Sequence, residues 1–160
     1  MQYNNYFIKP VNFPKLTHNV EQKINYNIEE YSRSVPFVND PNYMWTDNHN
    51  QEINEWCNDH VIRGIYYGFQ ISRADMRLHK DNNATVKLIY LLTTGGDNVI
   101  TSFYSEDKEK KLHSVKLNLN TWYLLKTDIW HNVTGITSPR FSICATVFRK
   151  IELVKPVESF

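Results

Sequence analysis

Two short segments of the chain carry residue types that could bind a metal ion together. His79 and Asp81 stand two positions apart, and His131 follows fifty positions after Asp81. Side chains alternate between faces along a β-strand, so His79 and Asp81 would point the same way on a strand. Two imidazoles and one carboxylate can occupy one face of an octahedral ion and leave the other open, which suits oxygen chemistry at non-haem Fe(II).

A second pair, Arg140 and Ser142, begins nine positions beyond His131. The same alternation would place both side chains on one face of a later strand. A guanidinium and a hydroxyl are donors suited to a carboxylate, because arginine can make two parallel charged hydrogen bonds to it. The complete ordered set is much rarer by chance than the His79-x-Asp81 pair alone.

With His79-x-Asp81, His131 and Arg140-x-Ser142 in this order, the chain resembles the Fe(II)/2-oxoglutarate-dependent oxygenases. It is most similar to the branch of prolyl hydroxylase-like and aspartyl/asparaginyl hydroxylase-like proteins, which includes small phage-encoded members. The resemblance covers roughly residues 65–148, and it departs at Ala74-Asp75, where relatives often have glycine. It implies a mainly β protein with N-terminal helices, built on a double-stranded β-helix, also called a jelly roll or cupin-like fold.

The resemblance also implies the chemistry. His79, Asp81 and His131 would hold Fe(II), and 2-oxoglutarate and dioxygen would take the open positions. Arg140, with Ser142 as a second donor, would pair with the far carboxylate of 2-oxoglutarate, which Lys87 or Tyr90 could also reach. The expected products are succinate, carbon dioxide and a hydroxylated amino-acid side chain or small molecule, with ascorbate as a candidate reductant.

Length and composition set the broad class. A chain of 160 residues with 41% hydrophobic and 14% aromatic residues predicts one folded domain. A net charge of +1 gives no basic excess for nucleic acid, and no apolar run approaches the ~20 residues of a membrane span. The first residues lack the pattern of a secretory signal. We therefore expect a cytoplasmic protein, in the host cytoplasm if phage-encoded, with Cys57 and Cys144 as buried free thiols.

Residues 1–64 are predicted to form an arm followed by supporting helices. Prolines and aromatics in residues 1–16 favour an extended arm with at most an edge strand. Apolar residues at helical spacing predict helices over 17–32 and 48–63, separated by a loop or short strand over 33–46. Gly64 is placed to end the second helix.

From residue 65 the apolar period changes to two, which predicts a β core over 65–148 and a loosely attached tail over 149–160. Residues 65–72 alternate, whereas 86–92 are almost continuously apolar and predict a central strand covered on both faces. On the last strand, Phe141 and Ile143 begin an apolar face that would need a covering helix. The further expected strands and turns are a bend at 74–75, a turn at 93–98, a solvated hairpin loop at 105–111, and strands at 76–81, 99–104, 112–119, 121–125 and 130–133.

The other histidines are weaker metal candidates. His60 lies on the apolar stripe of the second predicted helix, which favours a core histidine, and Cys57-x-x-His60 has no second pair to complete a zinc site. His49 is expected to be solvated, and His113 to be structural or on the surface. Trp130, beside His131, is expected to pack rather than to contact substrate.

Two alternatives to a 2-oxoglutarate-dependent hydroxylase remain at this stage. One is a non-catalytic binding or structural module that retains the oxygenase fold, because a fold does not fix a function. The other is a cupin-type metalloenzyme that does not use 2-oxoglutarate. The expected substrate is of undetermined identity, either a peptide side chain or a small molecule.

Overall fold

The protein is mostly β, with two antiparallel sheets and few helices. The structure, a computed structural model, describes residues 7–24, 26, 43–46, 51–81 and 86–147. Within these ranges the helices are α1 (His18–Glu21) and α2 (Gln51–His60). The strands are β1 (Ile8–Val11), β2 (Tyr43–Thr46), β3 (Gly68–Ser72), β4 (Met76–His79), β5 (Val86–Leu91), β6 (Ile100–Tyr104), β7 (Lys111–Val115), β8 (Trp122–Lys126), β9 (His131–Thr134) and β10 (Arg140–Val147).

The strands form a large and a small sheet, and every pairing is antiparallel. The large sheet has the order β1-β8-β5-β10-β3-β2, and the small sheet has the order β4-β9-β6-β7. The strands β5 and β10 pair in register from Ser142 opposite Leu91 to Val147 opposite Val86. This arrangement is consistent with a β-sandwich or cupin-like fold.

The large sheet has an apolar face on each side, as the sequence pattern of its central strands predicts. Its outer face packs on α2, through Ile53 and Cys57, in a cluster that contains alternate residues of β10: Phe141, Ile143, Ala145 and Val147. Its inner face carries Cys144 with Ile89, Leu91, Leu117 and Tyr123. The predicted covering helix on β10 and the predicted burial of β5 on both faces are therefore confirmed. Cys57 and Cys144 are both buried free thiols.

The prediction for the N-terminal elements is partly wrong. The helix expected over 17–32 is a single turn, His18–Glu21, and residues 22–23 form a turn rather than a continuing helix. Hydrogen bonds between residues three apart close it, from Val20 N to Thr17 O and from Ile24 N to Glu21 O. The rest of that span, residue 25 and residues 27–32, lies outside the described residues. The second helix is present as α2, and β1 is the edge strand expected in the arm.

The strand expected over 65–72 is shorter and more buried than its alternation suggested. It begins at Gly68, and all five residues of β3 are buried. The reason is its position between β10 and β2, with the outer cluster on one face and the space between the sheets on the other. The exposed loop at 105–110 joins β6 to β7, as predicted, and the tail at 149–160 lies outside the described residues.

No helix within the described ranges is both long enough and apolar enough to cross a lipid bilayer.

Two glycines with positive φ offer a matched stability test. Gly64 has φ +80° with nothing within 4 Å of an added Cβ, whereas Gly135 has φ +85° and an added Cβ would overlap the backbone carbonyl of Asn98. We expect Gly64→Ala to cost ~1–2 kcal/mol from the left-handed backbone alone. Gly135→Ala should cost at least about 3 kcal/mol, because overlap with backbone adds to that strain.

Urea unfolding of the two variants measures the difference directly. Equal losses of unfolding free energy in Gly64→Ala and Gly135→Ala would show that backbone contact between Gly135 and Asn98 does not limit the packing of this turn.

Candidate metal centre

Two paired strands of the small sheet bring the three predicted ligands together. His79 ends β4 and lies directly opposite His131, the first residue of β9. Asp81 follows two residues later and is fixed by a hydrogen bond from its backbone N–H to the Thr127 carbonyl, at 2.9 Å. One donor atom from each of the three residues lies within 4.8 Å of the others. Such a group could hold a metal ion.

Both imidazoles are held in the tautomer that carries the proton on Nδ1 and leaves Nε2 to bind a metal. The Nδ1 atom of His79 lies 2.7 Å from the carbonyl of Arg77, and Nδ1 of His131 lies 2.7 Å from the carbonyl of Ile129. A carbonyl only accepts, so Nδ1 carries the proton in each ring and Nε2 keeps its lone pair. Orientation by an outer hydrogen bond of this kind is a regular feature of metal-binding histidines. The donor set therefore fits a divalent metal ion.

His131 is neutral near physiological pH. Burial, together with the neighbouring His79 ring, lowers the pKa of His131 to about 4. The two ring centroids lie 4.3 Å apart, and His131 is only 4% exposed. A neutral imidazole needs no deprotonation before it binds a metal.

The depressed pKa of His131 predicts that the metal-free protein loses stability in mild acid. The ordinary pKa is 6.5 and the folded value is about 4, so in this window the unfolded chain binds a proton that the folded chain does not. Unfolding free energy should fall as the pH falls from about 6.5 to about 4, by up to roughly 3 kcal/mol. Urea titrations at successive pH values test this.

A His131→Phe variant should flatten that part of the pH profile, because it removes the titrating ring. His60→Gln is the matched control, since His60 is exposed on α2 and its change should leave the slope in place. An identical slope in His131→Phe would contradict the assignment of the window to His131.

Lys87 forms an ion pair with Asp81, one of the three candidate ligands. Its ammonium lies 2.9 Å from Asp81 Oδ2, and the two side chains are 11% and 20% exposed. The contact is an ion pair, and its geometry is not that of a normal hydrogen bond. The other oxygen, Oδ1, lies 3.5 Å from Nε2 of His79. Sequence reasoning missed this pairing, since it depends on the register of β5.

Tyr90 points to the opposite side of the large sheet. It belongs to the outer cluster, where its hydroxyl lies 3.4 Å from the Leu16 backbone N–H and 3.3 Å from Asn120 Oδ1. The expectation that Tyr90 could reach a ligand between the sheets is therefore wrong. The physical reason is the alternation of β5, which turns Lys87 inward and Tyr90 outward.

Arg140 is a buried cation at the start of β10. Its residue is 6% exposed, its Nε atom has no hydrogen-bond partner, and burial lowers the pKa of Arg140 to about 10. It lines a small cavity between the sheets, here called the Arg140 cavity, together with Leu91, Thr94, Gly96, Val99, Thr101, Lys116 and Leu117. A buried guanidinium with an unsatisfied donor is costly without an anion, so the charge of this cavity suits a carboxylate, while its free space of about 10 Å³ holds one water-sized group.

Strand β6 runs from the Arg140 cavity to the position opposite His131. Thr101 lines the cavity, and Phe103 lies two residues further along the same face of β6. The ring of Phe103 is 6.2 Å from that of His131. Ser142 also faces inward, but its hydroxyl lies 3.5 Å from the Gln70 carbonyl and 3.4 Å from Cys144 Sγ. As a second donor to a carboxylate, Ser142 would have to exchange those contacts.

His60 and His113 belong to no group of converging ligands among the described residues. His60 is exposed and stacks on Trp56 at 4.6 Å, so the prediction of a core histidine is wrong; it lies at the end of α2, beyond the buried stripe. His113 is exposed on the edge strand β7, where it stacks on Phe7. His49 lies outside the described residues. The ammonium of Lys108 lies over the ring of Trp130, 4.0 Å from the ring centroid.

No protein-family model matches the chain, and no curated protein matches it. Among solved structures, the chain is similar to the hydroxypropylphosphonic acid epoxidase from S. wedmorenis, in complex with fosfomycin, with a TM-score of 0.39 and 9% sequence identity. The alignment covers 53% of this chain and 44% of that chain, less than half its length. A likeness at this TM-score supports no assignment of fold or function.

Proposed function

We propose that this protein is a non-haem Fe(II)- and 2-oxoglutarate-dependent dioxygenase. It would hydroxylate an amino-acid side chain or a small molecule and release succinate and carbon dioxide. The observation that carries the proposal is the convergence of His79, Asp81 and His131, with both Nδ1 protons committed to backbone carbonyls.

Three protein ligands would hold the iron. His79 and His131 would bind through Nε2, and Asp81 through Oδ1, since its other oxygen lies against Lys87. Two histidines and one carboxylate leave positions open on the ion, as non-haem Fe(II) oxygenases require. When bound, Fe(II) would supply the activation of dioxygen for oxidation of a C–H bond.

Arg140 would bind the far carboxylate of 2-oxoglutarate. Its buried guanidinium, whose Nε has no hydrogen-bond partner, would offer two parallel donors inside the Arg140 cavity. Strand β6 lines that cavity with Thr101 and contacts His131 with Phe103. The walls supplied by Leu91, Val99 and Leu117 exclude water from that pair and so strengthen it. Ser142 would contribute a second donor.

We also propose that the sheets form a double-stranded β-helix. Support comes from the topology, because β3, β4, β5 and β6 alternate between the large and small sheets, and so do β8, β9 and β10. Two free thiols, Cys57 and Cys144, favour a reducing compartment such as the cytoplasm.

Turnover of 2-oxoglutarate tests the proposal. The protein is loaded with Fe(II) without oxygen, then mixed with dioxygen, ascorbate and 2-oxoglutarate, and succinate is measured. Peptides containing proline, aspartate or asparagine, and free amino acids, are screened for stimulated succinate release. Metal binding without any 2-oxoglutarate consumption would overturn the proposal in favour of a cupin-type metalloenzyme, and absence of metal binding would favour a non-catalytic module.

A further inference from the structure

The two oxygens of Asp81 face different partners. Oδ1 lies 3.5 Å from Nε2 of His79, on the side of the candidate metal ligands. Oδ2 lies 2.9 Å from the ammonium of Lys87. Lys87 reaches this point from β5 of the opposite sheet, so the contact joins the two sheets at the metal centre. The carboxylate is thus oriented before any ion arrives.

We propose that Lys87 is a positioning residue that acts through Asp81 and shifts the affinities for the metal ion and for a dianionic ligand in opposite directions. It holds Oδ2 and leaves Oδ1 as a single donor atom for the ion. Its fixed positive charge weakens the binding of the ion and strengthens the binding of a ligand with two negative charges. The inference rests on the proposed metal site.

The charges at the centre explain both effects. The carboxylate of Asp81 and the ammonium of Lys87 cancel, and the two imidazoles contribute no charge when neutral. A divalent cation therefore leaves two uncompensated positive charges at the ligands, the buried Arg140 guanidinium adds a third, and together they attract a dianion. Because the side chains of Lys87 and Asp81 are mostly buried, at 11% and 20% exposure, dissolved salt screens this interaction poorly.

Removing the charge of Lys87 should therefore move two affinities in opposite directions. The ion alone should bind more tightly, because a neighbouring cation is gone. The dianion should bind the metal-loaded protein less tightly, because the positive excess is smaller. Each change comes from a pairwise charge interaction with Lys87, so the direct attraction between the ion and the dianion is left as it is.

The test is calorimetry with Ni(II), a divalent ion that does not oxidise during the experiment, with and without 2-oxoglutarate. The variants are Lys87→Met and Lys87→Gln, the second of which retains hydrogen-bond donors toward Asp81 if the first folds poorly. We expect Ni(II) alone to bind each variant about fivefold or more tightly than wild type, the lower end of usual couplings. The Ni(II)-loaded variants should bind 2-oxoglutarate more weakly than the loaded wild type, by a similar ratio.

Two further variants define the specificity of the effect. Lys80→Met removes the same charge one residue from Asp81, but the Lys80 ammonium lies 2.6 Å from both oxygens of Glu106 at the surface. It should leave the Ni(II) affinity within about twofold of wild type, since exposed pairs contribute little. Lys87→Arg, which keeps the charge, should retain the weaker Ni(II) binding and the tighter 2-oxoglutarate binding of wild type.

The outcomes separate this inference from the metal site itself. If wild type binds no Ni(II), or Asp81→Asn binds it equally well, the proposed metal site is wrong. If wild type binds Ni(II) through Asp81 but the folded Lys87→Met and Lys87→Gln proteins bind it equally or more weakly, the role of Lys87 is wrong. The same conclusion follows if Lys87→Arg binds Ni(II) as tightly as Lys87→Met does.

Discussion

We expect Asp81→Ala to abolish metal binding and succinate release. The variant keeps two imidazoles but loses the only carboxylate among the converging ligands in the described part of the chain. Loss of an outer hydrogen bond to a ligand typically costs about 10–100-fold in metal affinity, so loss of the ligand should cost at least about 100-fold. Ni(II) calorimetry and a succinate assay measure the two effects.

The same change should also destabilise the metal-free protein, because Lys87 loses its carboxylate. Removing a carboxylate from beside a mostly buried ammonium is costly, by roughly 3 kcal/mol or less given the partial exposure of Lys87. Adding Lys87→Met to Asp81→Ala should recover part of that stability but none of the metal binding. This separates the structural role of the pair from its role at the metal.

Glu109→Ala is the matched control, since it removes an exposed carboxylate of the 105–110 loop. It should change neither metal affinity nor turnover. Retained metal-dependent turnover in Asp81→Ala would refute the assignment of the metal centre.

Arg140→Met should lower the affinity for 2-oxoglutarate by about 30-fold or more, because truncating one partner of a buried charged pair costs ~2–5 kcal/mol. The ligand-free protein should unfold at the same urea concentration or a higher one. Methionine replaces a buried cation whose Nε is already unsatisfied, and such replacements by apolar side chains are often neutral or stabilising. Calorimetry with 2-oxoglutarate and urea unfolding measure the two quantities.

Two comparisons sharpen the Arg140 result. Arg140→Lys keeps the charge but loses the fork, so 2-oxoglutarate should bind with intermediate affinity. Arg77→Met removes an exposed guanidinium from β4 and should bind 2-oxoglutarate like wild type. A large loss of stability in Arg140→Met with unchanged 2-oxoglutarate affinity would assign Arg140 a structural role instead.

Most of the correct predictions follow from the alternation of apolar and polar side chains along the strands. It placed the helix-facing side of β10 and the burial of β5 correctly, because each depends only on neighbours along the chain. It also paired His79 with Asp81 on one side of a short segment. That His131 lies opposite His79 depends on the pairing of β4 with β9, which periodicity does not encode.

The errors arise where the outcome depends on register or tertiary context. The sequence does not show which face of β5 points inward, so it predicts Lys87 and Tyr90 equally well as contacts of the cosubstrate. In the structure their side chains lie on opposite faces of the sheet. The short α1 and the exposed His60 show the same limit, since apolar spacing predicts a helix face but neither its length nor how far burial reaches along it.

The carbonyls that hold the two imidazoles have a consequence for how the protein acquires its ion. Arg77 and Ile129 lie only two residues before the rings they orient, so short local segments fix the rings during folding itself. The entropy of aligning the rings is therefore lost when the chain folds and not when an ion arrives. Capture from solution should then be limited by dehydration of the ion and by its access path, and an emptied protein should reload without refolding.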